Sequence, residues 1–456
     1  MTLIKSISGI RGTIGGRYRT NLTPIDIVEC VAGFGMWVKK QSTKTRFKII
    51  VGRDGRISGS MVSQLAINTL IGMGIEVIDL DLSTTPTVEM MVTHLGADAG
   101  IIFTASHNPK EWNALKFLNQ HGEFISAVAG AEILDLIEQG EIIFSDVDQL
   151  GNVARFSGAI DIHIDEILKL PYLNLDAIKS AGINVVVDCI NSTGALALPT
   201  LLDKLRVGYS LINEAITGDF DHNPEPLPAH LIKLSAKVVE LGADMGISID
   251  PDVDRLAFVN EDGSMFGEEY TLVAVADSIL NKKKGAGVSN LSSTRALADV
   301  CKKHGVPYFA SAVGEVNVVN KMKESEAVIG GEGNGGVILP DLHYGRDALA
   351  GIALFLSLYA EKGKSMTELK ADYPSYVIIK DKMPADSLDL NTTFSKLKQV
   401  FSQEKIDTQD GLKIDFENGW VHLRASNTEP IIRIYAEAKT EEEASSLITQ
   451  VKEAIS

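Results

Sequence analysis

At 456 residues the chain is too long for one ordinary hydrophobic core, and roughly three or four domains are expected. Hydrophobic residues make up 45% and charged residues 23%, a soluble globular mixture with no low-complexity tract. The formal charge of −17, from 60 acidic and 43 basic residues, argues against nucleic acid and anionic membrane as partners, because both select basic surface; an anionic small molecule stays open.

The first residues, "MTLIKSISGIRGTIGG", are broken by glycines and lack a secretory h-region, and no apolar run approaches the ~18–20 residues that span a bilayer. A cytoplasmic protein is expected. Within that stretch "SGIRGTIGG", carrying Arg11, resembles a glycine-rich phosphate loop but has neither Walker nor dinucleotide spacing. "FKIIVG" (47–52) predicts a strand, "SQLAINTLIGMG" (63–74) a helix closed by glycine, and "IEVIDL" (75–80) and "AGIIFTA" (99–105) further strands. "INVVVDCINSTG" (183–194) restarts the alternation with a buried strand and a turn-rich loop, and "ALALPTLLDKL" then has helical spacing. After "DYPSYVIIKDKMPADSLDL" (372–390) the pattern changes to a hairpin, "GLKIDFENGWVHLRA", with Asn418-Gly419 expected as its turn, followed by "IIRIYAEA" and a final helix. Cys30, Cys189 and Cys301 show no CxxC spacing and read as reduced, buried thiols.

A repeat runs through this alternation. "LGADAGIIFTAS" (95–106) matches "LGADMGISIDPD" (241–252), which puts Ser106 in register with Asp252. Both copies end a helix with glycine, run an apolar strand, and place polar residues at its C-terminal end, where open α/β sheets bind ligands. "SEAVIGGEGNGG" (325–336) is a weaker third copy. Three related α/β domains and a smaller C-terminal α+β domain are therefore expected.

"ISIDPDVDR" alternates Asp250, Asp252 and Asp254, and Pro251 argues for a loop at a strand end. Three converging carboxylates repel unless a divalent cation neutralises them, and hard oxygen ligands suit Mg²⁺, Ca²⁺ or Mn²⁺ better than zinc. An EF-hand is excluded because its sixth position, which needs glycine, is Arg255. The competing reading is a solvated acidic turn.

Ser106, in "FTASHNPKEWNALKF", reads as a helix N-cap with Pro109 at a first helical position, or as a nucleophile. The flanks are not those of a hydrolase elbow, and adjacency alone does not make His107 a base. Register with the aspartates favours phosphoryl chemistry near a cation. Lys116 reads as a snorkelling strand lysine or, with its pKa lowered in a dehydrated cleft, as a proton shuttle. "LRASNTEPIIRI" (423–434) combines Arg424, Ser426, Asn427, Thr428 and Arg433, which suits a phosphate cradle or a capped surface turn. In "GGEGNGG" (330–336), Glu332 and Asn334 suit hydrogen bonds to vicinal sugar hydroxyls, or the segment is a flexible loop.

Taken together these elements resemble the α-D-phosphohexomutase superfamily. The serine motif reads Thr104-Ala105-Ser106-His107-Asn108-Pro109, the metal loop Asp250 to Arg255, the sugar loop "GGEGNGG" and the phosphate loop Arg424 to Pro430, in the family's order across nearly the whole chain. Two departures stand out. Asn334 and Gly336 occupy the usual Ser and His positions of the sugar loop, and Gly9 replaces an acid often found two residues before Arg11. The sugar loop resembles a phosphoglucosamine-mutase-like branch more than the branch acting on glucose and mannose phosphates.

The resemblance implies three topologically similar α/β domains with mixed sheets (1–152, 153–256, 257–370) and a smaller α+β domain (371–456) around a central cleft. It implies a mutase in which phosphorylated Ser106 serves a hexose phosphate through a 1,6-bisphosphate. One Mg²⁺ is expected on Asp250, Asp252, Asp254 and a Ser106 phosphate oxygen. Arg11 and Arg255 would steady the reacting group, with Lys116 as proton shuttle and His107 beside the serine. Glu332 and Asn334 would read the sugar; Arg424, Ser426, Asn427, Thr428 and Arg433 would hold the phosphate. A metal-dependent phosphatase and a non-catalytic sugar-phosphate binder are the competing classes. Monomer and homodimer both stay open.

Overall fold

The computed structural model describes residues 2–6, 9–384, 389–425 and 431–455. They fall into two compact units, Met1–Thr271 with Asn334–Leu369, and Leu272–Gly333 with Lys370–Ser456.

The first unit opens with a seven-stranded sheet of β1 (Ile4–Ser6), β2 (Gly9–Thr13), β3 (Lys48–Arg53), β4 (Glu76–Leu82), β5 (Ala99–Phe103), β6 (Trp112–Leu118) and β7 (Val153–Arg155), in the order β1-β2-β6-β5-β3-β4-β7. β5, β3, β4 and β7 run parallel, while β6, β2 and β1 add antiparallel pairs, so the sheet is mixed. Its strands are apolar at successive positions because both faces are covered. Ile49 and Val51 of β3 enter one core with Ile101 and Phe103, whereas Ile50 and Ile102 point into another. The helix Pro24–Lys40 closes the first core, its start set by a capping box between Thr23 and Asp26. Phe34 of that helix stacks on Phe117 at 4.3 Å.

A second mixed sheet holds β8 (Asn184–Asp188), β9 (Gly208–Ile212), β10 (Met245–Ile249) and β11 (Leu256–Asn260), in the order β11-β10-β8-β9. Here the repeat becomes structural. β5 and β10 each lie parallel to an inner strand and then turn back into an antiparallel partner, β6 or β11. Each is preceded by a helix, Thr85–His94 or Ile232–Leu241, followed by a left-handed glycine, Gly96 or Gly242, both at φ +59°. The helix Ala348–Lys362 is buried from Ala348 to Leu358, and its Phe355 stacks on Phe258 at 3.9 Å.

In the second unit β12 (Gly287–Asn290) pairs in parallel with β13 (Tyr308–Ser311) and β14 (Ile329–Glu332); β15 (Gly336–Ile338) belongs to the first unit. The third repeat copy reaches β14 through Glu326, left-handed at φ +49° where the other two have glycine. The C-terminal sheet comprises β16 (Val377–Pro384), β17 (Lys405–Asp407), β18 (Leu412–Asp415), β19 (Gly419–Ala425) and β20 (Ile431–Ala438). It is antiparallel throughout, in the order β16-β20-β19-β18-β17. The helices Leu390–Val400 and Glu441–Ile455 contribute to its core. The expected α/β class, with three similar mixed modules and a smaller α+β domain, holds.

The β18–β19 hairpin is present, but its turn differs from expectation. Phe416 N–H donates to Gly419 O at 2.8 Å, which puts Glu417 and Asn418 at the centre, neither of them left-handed. Gly419 is needed for another reason: a Cβ there would collide with the Glu437 carbonyl of β20. All three cysteines are buried and none is in a disulfide, and no helix among the described residues is long and apolar enough to cross a membrane.

Candidate active site

Ser106 follows β5 in a turn that leads directly into β6. The expected helix after Asn108 and Pro109 is absent, because Trp112 resumes the sheet opposite Thr13. Ser106 is therefore no helix cap. It adopts φ +49°, a strained conformation for a residue with a side chain, and is almost fully buried. Its N–H donates to Thr104 Oγ1 (2.9 Å) and its Oγ to Asp250 Oδ2 (2.6 Å).

The strain is held by Arg56, which sequence reasoning passed over in "GRDGR". This guanidinium is 1% exposed and donates to the carbonyls of Ser106 (2.5 Å), Asn108 (2.7 Å), Pro109 (2.8 Å) and Trp112 (2.9 Å). Its Nε pairs with Asp54 Oδ2 at 3.0 Å, and Thr104 Oγ1 donates to the same oxygen at 2.7 Å. A planar fork with five donors suits this task, which a lysine cannot reproduce.

The aspartates occupy the loop between β10 and β11, as Pro251 suggested. All three carboxylates are fully buried, with ligating oxygens within 4.8 Å of one another. Asp250 Oδ1 accepts from the backbone of Asp254 and Arg255, so the loop wraps around it. Val253, a β-branched residue, sits left-handed at φ +62° at the crest. Three neighbours brace the loop from outside: Ser192 and Thr193 donate to Pro251 O at 2.6 and 2.9 Å, and Thr85 Oγ1 donates to Asp252 Oδ2 at 2.6 Å. Arg346, a further residue with no sequence signal, donates to Asp254 Oδ2 at 2.7 Å.

Burial and the adjacent Asp254 and Asp252 push the Asp250 carboxyl well above its ordinary range. Burial would raise Asp252 too, but Lys116 and its hydrogen bonds hold it low. Asp252 Oδ1 and Asp254 Oδ1 are buried and make no hydrogen bond among the described residues. Hard oxygens crowded together, two without donors, fit a divalent cation such as Mg²⁺.

Lys116, on β6, corrects an expectation. Burial alone would lower its pKa, but Asp252 at 2.8 Å and Asp254 at 3.7 Å outweigh burial and raise it above the ordinary lysine value. His107 moves the other way: burial, Arg255 and Arg346 depress it well below the ordinary value, so a neutral ring lies 3.4 Å from Ser106 Oγ. Arg255 pairs with Glu225 Oε1 at 3.0 Å, and its buried Nε lies 4.0 Å from Asp250 Oδ2. Arg11 on β2 stands opposite Ala114, so it shares the sheet face of Lys116. Asn334, in the first unit, bonds the N–H of Gly336 at 3.2 Å.

The remaining predicted residues lie in the second unit. Glu332 ends β14 and accepts from Asn290 Nδ2 (2.9 Å) and Gly314 N (3.1 Å). Arg424 on β19 stands directly opposite Arg433 on β20, itself opposite Lys382 on β16, and Arg424 Nε lies 2.7 Å from Asp410 Oδ2. A row of three cations therefore crosses one face of the sheet. Ser426, Asn427 and Thr428 lie outside the described residues.

Four family profiles match the chain in order: phosphoglucomutase/phosphomannomutase domain I over 3–142, domain II over 161–263, domain III over 267–376 and the C-terminal domain over 377–454. The phosphoglucomutase/phosphomannomutase of Thermococcus kodakarensis is 35% identical over 440 residues, covering 95% of each chain. The phosphoglucosamine/phosphogalactosamine mutase of Sulfurisphaera tokodaii is 31% identical, covering 98% of each. A phosphoglucomutase/phosphomannomutase family protein of Burkholderia thailandensis shares the fold at a TM-score of 0.85, with 23% identity over 98% of this chain and 96% of that one.

Proposed function

The chain belongs to the phosphoglucomutase/phosphomannomutase family and is an isomerase of the phosphohexomutase type, and from that premise we propose that it interconverts glucosamine 6-phosphate and glucosamine 1-phosphate. The observation that carries the chemistry is the 2.6 Å approach of Ser106 Oγ to Asp250 within a buried carboxylate cluster. In this reading Ser106 carries a phosphoryl group and transfers it to a hydroxyl of the hexose monophosphate. The resulting 1,6-bisphosphate turns over, and its other phosphate returns to Ser106. The P–O bond to serine breaks as the bond to the sugar oxygen forms, and the second transfer reverses this.

Asp250, Asp252 and Asp254 would hold Mg²⁺, which neutralises charge on the phosphoryl group. Lys116 Nζ enters as a cation. It gives one proton to the departing serine oxygen and takes the one released by the sugar hydroxyl, ending as it began. Neutral His107 accepts or donates one hydrogen bond beside the serine. Arg11 and Arg255 balance the charge of the reacting group. Glu332 and Asn334 are the proposed sugar contacts, and Arg424 and Arg433, with Ser426, Asn427 and Thr428, the contacts to the non-reacting phosphate. Glucosamine is preferred because Asn334 and Gly336 replace the serine and histidine of the dual-specificity sugar loop.

The test is to supply Mg²⁺, a trace of hexose 1,6-bisphosphate and, separately, the 6-phosphates of glucosamine, glucose and mannose, following 1-phosphate and inorganic phosphate. Fastest conversion of glucosamine 6-phosphate is expected. Faster turnover of glucose or mannose phosphate overturns the sugar assignment, and net phosphate release without isomerisation overturns the mutase in favour of a phosphatase.

A further inference from the structure

The first unit holds a second cluster of ligating side chains. His163 lies on the helix Ala159–Leu168, Asp347 caps the helix Ala348–Lys362, and His343 precedes Asp347 by one helical turn's worth of chain. His163 Nε2 is 2.8 Å and His343 Nε2 3.3 Å from the same oxygen, Asp347 Oδ2. The three ligand atoms lie within 4.8 Å of one another, and the two rings stand at 85°. A tetrahedral zinc ion with bonds of ~2.0–2.1 Å holds neighbouring ligand atoms roughly 3.3–3.4 Å apart. The two distances to Asp347, 2.8 and 3.3 Å, are within about half an ångström of that spacing.

The far side of the His163 ring is engaged as a metal-bound imidazole requires, and that of His343 faces a carboxylate. His163 Nδ1 is 2.9 Å from Thr87 Oγ1, and His343 Nδ1 is 3.4 Å from Glu89 Oε2, both on the helix Thr85–His94. A ring held at Nδ1 by a hydroxyl or carboxylate presents Nε2 outward, with its tautomer and orientation set. Charge is compatible with this. Asp347 and Glu89 bring two negative charges into a site where both are buried. One divalent ion with two neutral imidazoles balances them, as two imidazoliums would without it.

We propose that His163, His343 and Asp347 form a second metal site, separate from the aspartate loop, for a borderline transition ion such as Zn²⁺. Two imidazoles and one carboxylate select zinc over magnesium, which takes oxygen ligands. The ion would join two segments directly, and the helix Thr85–His94 packs behind its rings; that helix and the one capped by Asp347 both reach the aspartate loop. Thr85 N–H donates to Asp252 O at 2.9 Å, and Ala348 N–H to Val253 O at 3.2 Å beside the Arg346–Asp254 pair. Its role is to stiffen the frame that holds those carboxylates.

The experiment strips the full-length protein with chelator, restores excess Mg²⁺ and titrates Co²⁺. One equivalent is expected to give the intense visible absorption of tetrahedral cobalt, bleached by one equivalent of Zn²⁺. His163→Gln and His343→Gln should each lose the band, while Asp252→Asn keeps it. Zn²⁺ should raise the Tm of wild type and Asp252→Asn by several degrees and leave His343→Gln unmoved. A folded wild type without the tetrahedral spectrum overturns the site, as does a band that survives both histidine substitutions. Should the histidine variants not fold, a band lost in Asp252→Asn overturns it equally.

Discussion

Replacing Arg56 tests whether the serine turn is held in place by one side chain. Arg56→Ala removes four hydrogen bonds to carbonyls and leaves the Asp54 carboxylate, also fully buried, without its cation. Breaking a buried pair by deleting one partner costs about 3–5 kcal/mol, and unsatisfied carbonyls add to it unless water enters. At roughly 2–4 °C per kcal/mol, the melting transition should fall by on the order of 10 °C. Because Ser106 is held at φ +49° by this scaffold, relaxation of the turn would move Oγ by a sizeable fraction of an ångström. A misplacement of about 1 Å costs ~10²-fold in rate. Arg56→Lys keeps the charge but has too few donors for every acceptor, and should show an intermediate Tm with a reduced kcat and little change in KM. The assay is kcat and KM for the 6-to-1 phosphate reaction alongside thermal melting. A Lys variant with wild-type kcat, or an Ala variant melting within a degree of wild type, refutes the reasoning.

Ser106→Ala should abolish turnover while calorimetry still detects sugar-phosphate binding; residual turnover above about one part in a thousand would remove the serine from its role. Asp252→Asn should lower activity and raise the Mg²⁺ concentration needed for half-maximal rate, and equal wild-type activity with and without chelator would contradict the metal. Arg424→Ala should raise KM about tenfold or more with kcat largely kept, whereas a loss confined to kcat would place it elsewhere. His422 gives a pH prediction: burial holds its pKa down to about 4, its Nδ1 lying 2.9 Å from Ser292 Oγ and its Nε2 2.7 Å from Asp410 O. The folded state resists protonation while the unfolded chain accepts it below ~6.5, so stability is lost as pH falls from there toward 4, by about 2 kcal/mol at pH 5. Denaturant melts of the second unit should show this acid limb, and His422→Gln should flatten it; an unchanged limb removes His422 as its cause.

Much of the site was legible because its chemistry is local in sequence. "TASHNP" and "DPDVDR" each compress their functional groups into six residues at the end of one strand, so pattern and repeat register sufficed to pair Ser106 with the aspartates. The misreadings have physical causes. Pro109 looked like a helix start because proline suits that position, but pairing of Trp112 with Thr13 overrode local preference. Asn418-Gly419 looked like a turn because that dipeptide favours left-handed backbone, yet Gly419 is dictated by close contact with β20.

Sequence by itself determined the fold class and the repeat and singled out the serine and the aspartate triad as candidates, because these follow from periodicity and from residue types that serve one chemistry. Tertiary structure alone decided the charge states and the supports. Lys116 was expected to lose its proton more easily and instead holds it more tightly, since two carboxylates from a loop some 136 residues away in the chain outweigh its burial. Arg56, Thr85 and Arg346 carry no motif and act only through what they touch, on segments distant in sequence. Such effects depend on inverse distance and on exclusion of water, and neither quantity exists until the chain has folded.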